Sequence, residues 1–399
     1  MGDPRPRQVI LNLLLISVDS LRYDFVSRTN QRISTPRFDA LSRAFSFSDR
    51  CFSVSSATRP VHTSLFTGLY PFEHGVTSQR TPAMRPGIPH LFALFASRGF
   101  RIGAFSEAAG IFAGLDYAPW ISADDPGRIL RFIGTQGAKL LFAHFWGCHT
   151  PYGAADGRAM GETARLLKEG RRQQVIQQYQ QAVEGVFETR IASLLEQMDL
   201  REWMVLICGD HGESWTAEEP YHGQTLDNSV LRVPLYLHLP NTGNPVLGSP
   251  LVSLVDVFPT LEAVFNLQSG YRGYGRDLRQ VERPGMYLAQ IFPTQALAKD
   301  RLGADRIRGD SLILGQGAGG PQWALFDSHR KFTCWEEEGA GRLEHTLSGE
   351  KIPYGDAESQ YYRAAYAAMG ANSGYAQLPE PTQTATSVLD QRLRELGYL

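Results

Sequence analysis

Five apolar runs of strand length, separated by segments with helical spacing, constrain the fold of this chain more than any other feature. The runs are Val9–Val18, Arg101–Phe105, Lys139–Trp146, Trp203–Cys208 and Val233–Leu239. Such alternation indicates an α/β fold with a mostly parallel sheet covered by helices. Asp19 follows the first run, and Asp210 and His211 follow the fourth. Since open α/β sheets bind ligands beyond the carboxyl ends of their strands, we expect these three side chains to meet there.

The segments between the strands predict two long helices. Apolar residues recur at helical spacing over Gln173–Met198 and again over Ser253–Phe265. The segment Tyr152–Gly170 is rich in Gly and Ala instead. Such a composition predicts a mobile loop, and we expect it to cover the site.

The last third of the chain has a different texture. The short apolar runs Trp323–Phe326 and Lys331–Trp335 lie among Gly-rich segments and predict a small antiparallel hairpin. Val388–Leu396 has helical spacing and is followed by Gly, so it predicts a closing helix. We therefore expect a catalytic core over residues 1–285. A smaller α+β subdomain, packed on that core, is expected over residues 286–399.

The composition excludes several classes of protein. Of 399 residues, 43% are hydrophobic and 20% are charged, as in globular proteins, and a net charge of -2 gives no basic surface for nucleic acid. No apolar run reaches the length of a membrane span. Four cysteines without CxxC spacing predict reduced thiols. We expect a cytoplasmic protein without nucleic-acid or membrane partners, and homo-oligomer formation stays open.

The segment Ser55–Gly68 holds the candidate nucleophile. It is typical of a loop that enters a helix, with Pro60 in the first helical turn, where a missing N–H costs nothing. Thr58 would then be the N-cap, beside the free N–H groups and the positive end of the helix dipole. A hydroxyl placed there beside a divalent cation loses its proton more readily and can attack phosphorus or sulfur. The alternative is that Thr58 only caps the helix.

Taken together, the motifs of this chain resemble the alkaline phosphatase/sulfatase superfamily, and within it the sulfatase-like hydrolases. The segments that carry the resemblance are Val18–Asp24, Thr58–Val76, His144–Tyr152, Asp210–Glu213 and Arg232–Leu235. They cover nearly the whole chain in the order usual for that superfamily. The resemblance implies an alkaline phosphatase-like central sheet, a smaller C-terminal antiparallel sheet and a terminal helix. It also implies ester cleavage through a covalent intermediate.

The nucleophile position departs from the sulfatase pattern. Sulfatases oxidise a Cys or Ser to formylglycine, and counting back from Thr67-Gly68 puts Thr58 at that position, with His62 in place of an arginine. A rival alignment makes Ser55 the nucleophile, but it lies three residues too far from Thr67-Gly68. In this superfamily a threonine nucleophile implies phosphoryl chemistry. Two further positions also depart from the sulfatase pattern, Ser20 and Ser106.

The metal site implied by the resemblance consists of Asp19, Asp210, His211 and the Thr58 oxygen. Superfamily members with two zinc ions usually supply an Asp-x-x-x-His before the Asp-His pair, and this chain lacks that motif there. We therefore expect one divalent ion. A single imidazole among oxygen ligands favours Zn or Mn over Mg or Ca. Glu213 is expected to orient His211 rather than to bind the metal.

Four further residues are candidates for catalysis. The resemblance implies that His149 and His222 contact the leaving group, while the alternative for His149 is a hydrogen-bonded loop histidine. His62 is a candidate for contact with the anion, or a helix-packing residue. Arg59 could replace the missing arginine in stabilising charge, or lie in solvent.

We therefore expect a metal-dependent hydrolase of anionic esters that acts through Thr58. The expected substrate is a phosphodiester, phosphonate or phosphate ester of an intracellular small molecule. Three alternatives stay open: a sulfatase, a group transferase or cyclase on the same scaffold, and a non-catalytic metal-binding protein.

Overall fold

The computed structural model describes residues 11–153, 161–216, 219–240, 247, 250–280, 285–292, 320–337, 339–375, 377–379 and 391. Its centre is an eight-stranded sheet in the order β4-β3-β5-β1-β6-β7-β2-β8. The strands are β1 (Asn12–Val18), β2 (Ser46–Phe52), β3 (Arg101–Ser106), β4 (Ile121–Ala123), β5 (Lys139–Phe145), β6 (Trp203–Gly209), β7 (Arg232–His238) and β8 (Val252–Ser253). From β4 to β6 all neighbours are parallel, which confirms the predicted sheet.

Within this sheet, β7 alone runs against the other strands, and β2 has the same direction as β6. β7 is antiparallel to β6, and β2, which the sequence analysis did not identify, is antiparallel to β7. β2 alternates Ser, Asp and Arg with larger apolar residues and is only partly buried, so it lacks the continuous apolar run of the central strands.

β1 holds the middle of the sheet and sets the position of the strand ends. All its residues are buried, as expected for a parallel strand with both faces covered. Val18 pairs with Phe145 of β5 on one side and with Gly209 of β6 on the other. The three strands therefore end at one level, and the residues that follow them meet at one edge.

Helices cover both faces of the sheet and pack into two apolar cores, one on each face. They are α1 (Pro36–Leu41), α2 (Thr58–Thr67), α3 (Pro71–His74), α4 (Leu91–Ser97), α5 (Pro126–Ile133), α6 (Glu162–Lys168), α7 (Arg172–Gly185), α8 (Ala192–Leu195), α9 (Asn228–Leu231), α10 (Val257–Phe265) and α11 (Asp356–Asn372). Among the described residues, no helix combines the length and the apolar character needed to cross a membrane.

The predicted helices are present with different bounds. The first consists of α7, a π-helical turn over Val186–Ile191 and α8, in place of one regular helix over Gln173–Met198. The second opens with a 3₁₀ turn before α10. The predicted loop Tyr152–Gly170 is wrong in part, because α6 lies within it and buries Leu166 against the core; residues 154–160 lie outside the described part.

A separate antiparallel sheet forms the C-terminal part, as predicted. Its strands are β9 (Tyr287–Ile291), β10 (Gln322–Phe326), β11 (Arg330–Trp335) and β12 (Ala340–His345), in the order β12-β11-β10-β9. β10 and β11 are the predicted hairpin. The predicted helix Val388–Leu396 lies almost entirely outside the described residues. The division at residue 285 stays a prediction, and the second sheet begins with Tyr287.

Candidate active site

The ends of β1, β5 and β6 place a cluster of buried polar side chains at one edge of the sheet. Asp19 follows β1, His144 is the second-last residue of β5, and Asp210 and His211 follow β6. The backbone pairing continues past the strands, since the Asp19 N–H donates to the Phe145 carbonyl oxygen over 2.9 Å. All four polar side chains are buried. The predicted convergence of Asp19, Asp210 and His211 is therefore present in the structure.

Thr58 directs its hydroxyl into this cluster. Its Oγ1 lies 3.3 Å from Asp19 Oδ2 and 3.3 Å from His211 Nε2. The extended residue Ala57 is the N-cap of α2, so Thr58 is the first helical residue and the predicted N-cap role is wrong. The Thr58 hydroxyl thus faces the aspartate and the imidazole at the positive end of the helix.

The spacing of these atoms suits a metal ion. Among the described residues, one donor atom from each of Asp19, Asp210 and His211 lies within 4.8 Å of the others. His211 Nε2 is 3.5 Å from Asp210 Oδ2, close to its 3.3 Å separation from Thr58 Oγ1. Ligand atoms around a tetrahedral ion with bonds of about 2.0–2.1 Å lie about 3.3 Å apart. The four predicted ligands thus fit a divalent cation.

Hydrogen bonds leave the right atoms available for that cation. Asp210 Oδ1 accepts from the backbone N–H groups of Ser20 and His211, while Asp210 Oδ2 is buried with no hydrogen bond among the described residues. His211 Nδ1 lies 3.1 Å from the Gly212 carbonyl oxygen, which leaves Nε2 as the nitrogen with a lone pair. A hydrogen bond from the other ring nitrogen fixes the ring orientation of a metal-binding histidine.

The two carboxylates have opposite pKa shifts. Burial opposes the charge of Asp19, but His144 at 3.3 Å and the neighbouring imidazoles hold its pKa well below the usual range. Burial and the nearby Asp19 raise the pKa of Asp210 well above its usual range. Burial also lowers the pKa of His211 to about 3, so this imidazole is neutral, as a metal ligand must be. A divalent cation would allow both carboxylates to ionise.

His149 and His222 lie together beside the candidate metal ligands. The His149 ring stacks on Trp146 at 3.8 Å, and the His222 ring centre is 5.0 Å from that of His149 and 4.2 Å from that of His211. Burial lowers the pKa of each of the two histidines to about 4. The structure therefore brings both predicted leaving-group residues to the site.

Glu213 orients a different histidine from the one predicted. Its Oε1 lies 2.8 Å from His222 Nδ1, whereas His211 uses the Gly212 carbonyl oxygen instead. Burial raises the pKa of Glu213 to about 7. The expectation that Glu213 orients His211 is wrong, because the chain turns after His211 and carries the glutamate toward the His222 loop.

The structure separates the two candidates on α2. His62 is at the site, with Nδ1 at 2.9 Å from the Thr58 carbonyl oxygen and its ring centre 4.7 Å from that of His144. The Arg59 guanidinium instead donates to the carbonyl oxygens of Ile111 and Thr81. Neighbouring helical residues point about 100° apart, so Arg59 points away from its neighbour Thr58. Its guanidinium ties two loops to α2 and is not available to an anion in this structure.

Sequence reasoning missed the roles of His144 and Ser20. His144 Nδ1 is anchored at 2.8 Å by Ser106 Oγ, and its Nε2 reaches Asp19. Ser20 adopts a positive φ of 58°, which lets its hydroxyl donate to Asp19 and its N–H to Asp210. The position of His144 near the end of a predicted strand was the available signal. The rival Ser55 is buried, and its hydroxyl has no hydrogen bond among the described residues.

Comparison with known proteins agrees with this fold. The family model described as type I phosphodiesterase / nucleotide pyrophosphatase matches residues 13–207, a segment that includes Asp19, Thr58 and His149. No curated protein sequence matches the chain significantly.

Three solved structures represent the similarity in fold. The phosphonate monoester hydrolase of Agrobacterium radiobacter is 17% identical, with a TM-score of 0.66 over 90% of this chain and 95% of that one. A 2-O GAG sulfatase, BT1596, is 14% identical, with a TM-score of 0.65 over 91% of each chain. The lipoteichoic acid synthase LtaP of Listeria monocytogenes is 14% identical, with a TM-score of 0.61 over 93% of this chain and 94% of that one.

Each of these structures covers at least 90% of this chain, so the similarity extends over nearly the whole fold. The chain therefore shares its fold with a phosphonate monoester hydrolase and a sulfatase.

Proposed function

We propose that this protein is a metal-dependent hydrolase of phosphorus esters that acts through a covalent intermediate on Thr58. The substrate class comprises phosphodiesters, phosphonate esters and phosphate esters of small molecules. The observation that carries the proposal is the position of Thr58 Oγ1, at 3.3 Å from both Asp19 Oδ2 and His211 Nε2. A hydroxyl so placed can bind a metal ion and act as a nucleophile, which supports the proposal.

The metal would be held by Asp19, Asp210, His211 and the Thr58 oxygen. When bound, it would polarise the ester and lower the pKa of the Thr58 hydroxyl. Aspartate and imidazole donors together favour Zn or Mn. The helix dipole of α2 adds positive potential where the anionic ester would lie.

Thr58 Oγ attacks phosphorus, and the P–O bond to the leaving alcohol breaks. His149 or His222 delivers the proton that the leaving oxygen needs. With pKa values of about 4, both imidazoles are neutral at pH 7 in the free protein, so each must first take up a proton, such as that of the Thr58 hydroxyl. Water then attacks the phospho-threonine, the Oγ–P bond breaks, and the Thr58 hydroxyl is restored.

The choice of phosphorus over sulfur follows from the nucleophile. A hydrated formylglycine carries a second hydroxyl that can expel sulfate, and Thr58 has only one hydroxyl. A sulfo-threonine would need direct attack of water on sulfur. A phospho-threonine beside a metal and the neutral base His222 has a route to hydrolysis.

A group transferase is the second candidate. The similar fold of a lipoteichoic acid synthase favours it, because that relative is named for synthesis rather than for hydrolysis. In such a reaction an acceptor alcohol would resolve the phospho-threonine in place of water. Product analysis with and without added acceptor separates the two reactions.

A cytoplasmic location is part of the proposal. The described residues include all four cysteines, and no disulfide joins them. Buried thiols of this kind suit a reducing compartment.

Matched p-nitrophenyl esters test the substrate class. The phosphate monoester, phosphodiester, phosphonate and sulfate esters share one leaving group. Differences in kcat/KM at constant metal content therefore report whether the enzyme prefers to attack phosphorus or sulfur. We expect a phosphorus ester to be cleaved fastest and Thr58→Ala to abolish its cleavage. A clear preference for the sulfate ester would contradict the proposal and restore a sulfatase.

A further inference from the structure

The antiparallel C-terminal sheet contacts the loop that carries His222. We define the His222 loop as residues 221–228, which end on the first residue of α9; residues 221–227 form neither helix nor strand. Gln224 and Leu226 in this loop are buried. Because an irregular segment cannot pair its own backbone groups, its buried carbonyl oxygens need partners from another part of the chain. The C-terminal sheet supplies them.

Lys331 of β11 is the central partner. Its Nζ donates to the Leu226 carbonyl oxygen over 3.0 Å and to Asn228 Oδ1 over 2.7 Å. It also lies 2.6 Å from Oε1 of Glu344, the residue that faces it across the β11–β12 pair. An ammonium group has three N–H donors, so these three partners use all of them. Two of the three belong to the His222 loop.

Burial excludes the usual role of a surface lysine. The Lys331 side chain is 0% exposed, and a lysine is rarely buried so completely unless it is paired. Glu344 neutralises its charge within the sheet. Lys331 is therefore not available to attract an anionic ester, and its hydrogen bonds to the loop are the contacts that its burial serves.

The strands on either side of β11 hold the same loop. Gln322 Nε2, in β10, donates to the Gln224 carbonyl oxygen over 2.8 Å. Arg342, in β12, pairs with the Asp227 carboxylate. Three adjacent strands thus hold the loop at successive points, beginning two residues after His222.

The far end of the loop places His222 at the candidate site. His222 Nδ1 lies 2.8 Å from Glu213 Oε1, and the His222 ring centre is 4.2 Å from that of His211. A general acid must come within about 2.6–3.2 Å of the oxygen that it protonates. Misplacement of a reacting group by 1 Å can cost about 10²-fold in rate. The loop must therefore be held closely if His222 is to act.

We propose that Lys331 is a positioning residue for His222. It holds the loop through the Leu226 carbonyl oxygen and the Asn228 side chain, and so keeps the imidazole within reach of the leaving oxygen. The inference rests on the part that His222 has in the proposed function. It gives the C-terminal sheet a role in the reaction, which it performs through the loop.

The dependence of the rate on the leaving group tests the proposal in the full-length protein. Lys331→Met should lower kcat for a phosphorus ester with an alkyl leaving group by about 10²-fold and for the matched nitrophenyl ester much less, as His222→Ala should. An equal loss on both esters would overturn the proposal, because it would indicate a general structural role.

Phe332→Leu is the matched control from the same strand. Successive residues of a strand point to opposite faces, and the buried Phe332 ring stacks on Tyr362 of α11 at 4.9 Å instead of contacting the loop. This variant should lower the thermal midpoint and leave the ratio of the two rates unchanged. A changed ratio in Phe332→Leu would contradict the proposal, since any weakening of the sheet would then have the same effect.

A double variant tests whether Lys331 acts through His222. If it does, Lys331→Met has no further effect once the imidazole is gone, because coupled residues are not additive. We expect His222→Ala/Lys331→Met to cleave the alkyl ester within about twofold of the rate of His222→Ala alone. A further loss of about tenfold or more would refute the proposal.

Nuclear magnetic resonance gives a readout that needs no substrate. The imidazole ¹⁵N signals of His222 are identified by their absence in His222→Ala. We expect them to shift in Lys331→Met and to keep their positions in Phe332→Leu; unshifted signals in Lys331→Met would overturn the proposal. If Lys331→Met does not fold, Gln322→Met, which removes the donor to the Gln224 carbonyl oxygen, should give the same pattern of rates and signals.

Failure of this inference can be distinguished from failure of the proposed function. Shifted His222 signals in a protein that cleaves no phosphorus ester would reject the hydrolase and leave the positioning role of Lys331 standing. Hydrolysis that needs His222 but is unaffected by Lys331→Met would do the reverse.

Discussion

At the scale of single residues, the proposed function depends on the hydroxyl of Thr58. Thr58→Ala should lower kcat/KM for the preferred phosphorus ester by about 10³-fold or more, as expected for the loss of a covalent nucleophile. Ser55→Ala should retain most of the activity, because the Ser55 hydroxyl has no hydrogen bond with any described residue of the site. Steady-state kinetics on both variants decide between the two positions, and the reverse pattern would select Ser55.

The pair His149 and His222, beside the candidate metal ligands, gives a second prediction at this scale. Because only a basic leaving oxygen needs a proton, His149→Ala and His222→Ala should slow alkyl esters by about 10²–10⁴-fold and nitrophenyl esters much less. Glu213→Gln should follow His222→Ala, since Glu213 Oε1 lies 2.8 Å from His222 Nδ1. Comparing kcat across leaving groups of rising pKa measures the effect. An equal loss on all esters would indicate a role in binding or structure.

At the scale of elements, helix α2 holds Thr58 in place, and Gly68 ends that helix. Gly68 has a φ of +74°, and a Cβ atom there would lie 2.7 Å from Tyr271 Cε2 and 2.9 Å from Phe258 Cβ. Gly68→Ala should lower the free energy of unfolding by about 2–4 kcal/mol, from backbone strain and overpacking together. Gly99→Ala is the matched control, with a φ of +81° but open space around the new methyl group, and should cost about 1 kcal/mol. Thermal unfolding of both variants makes the comparison, and equal losses would refute the packing argument.

At the scale of the whole molecule, buried histidines link stability to pH. Burial lowers the pKa of His74 from an ordinary value of 6.5 to about 3, so the unfolded chain takes up a proton first as the pH falls. This contribution to stability is fully present above pH 6.5 and is lost on acidification, by about 2 kcal/mol at pH 5. His74→Gln should lower the thermal midpoint at pH 7. It should also make the thermal midpoint fall less steeply between pH 7 and pH 5 than it does in the wild type. The exposed His345→Gln should keep the wild-type slope; an unchanged slope in His74→Gln would exclude this linkage.

The sequence by itself determined the parallel sheet and the meeting of Asp19, Asp210 and His211. These conclusions hold because a parallel strand buried on both faces is a continuous apolar run, and because all such strands end at one edge. The C-terminal hairpin was predictable for a similar reason, since its strands are adjacent in the chain.

Only the tertiary structure decided which remaining side chains reach that edge. Arg59 and His62 lie on the same helical turn, but only His62 faces the site, and His144 reaches Asp19 because β5 pairs with β1 in one particular register. The positive φ of Ser20 and the turn that carries Glu213 to His222 are local backbone choices that no periodicity encodes. The buried cluster of residues 62, 144 and 210 is a further example. Because its members are distant in the chain, spacing could not reveal it, and it exists only once the sheet and α2 are packed together.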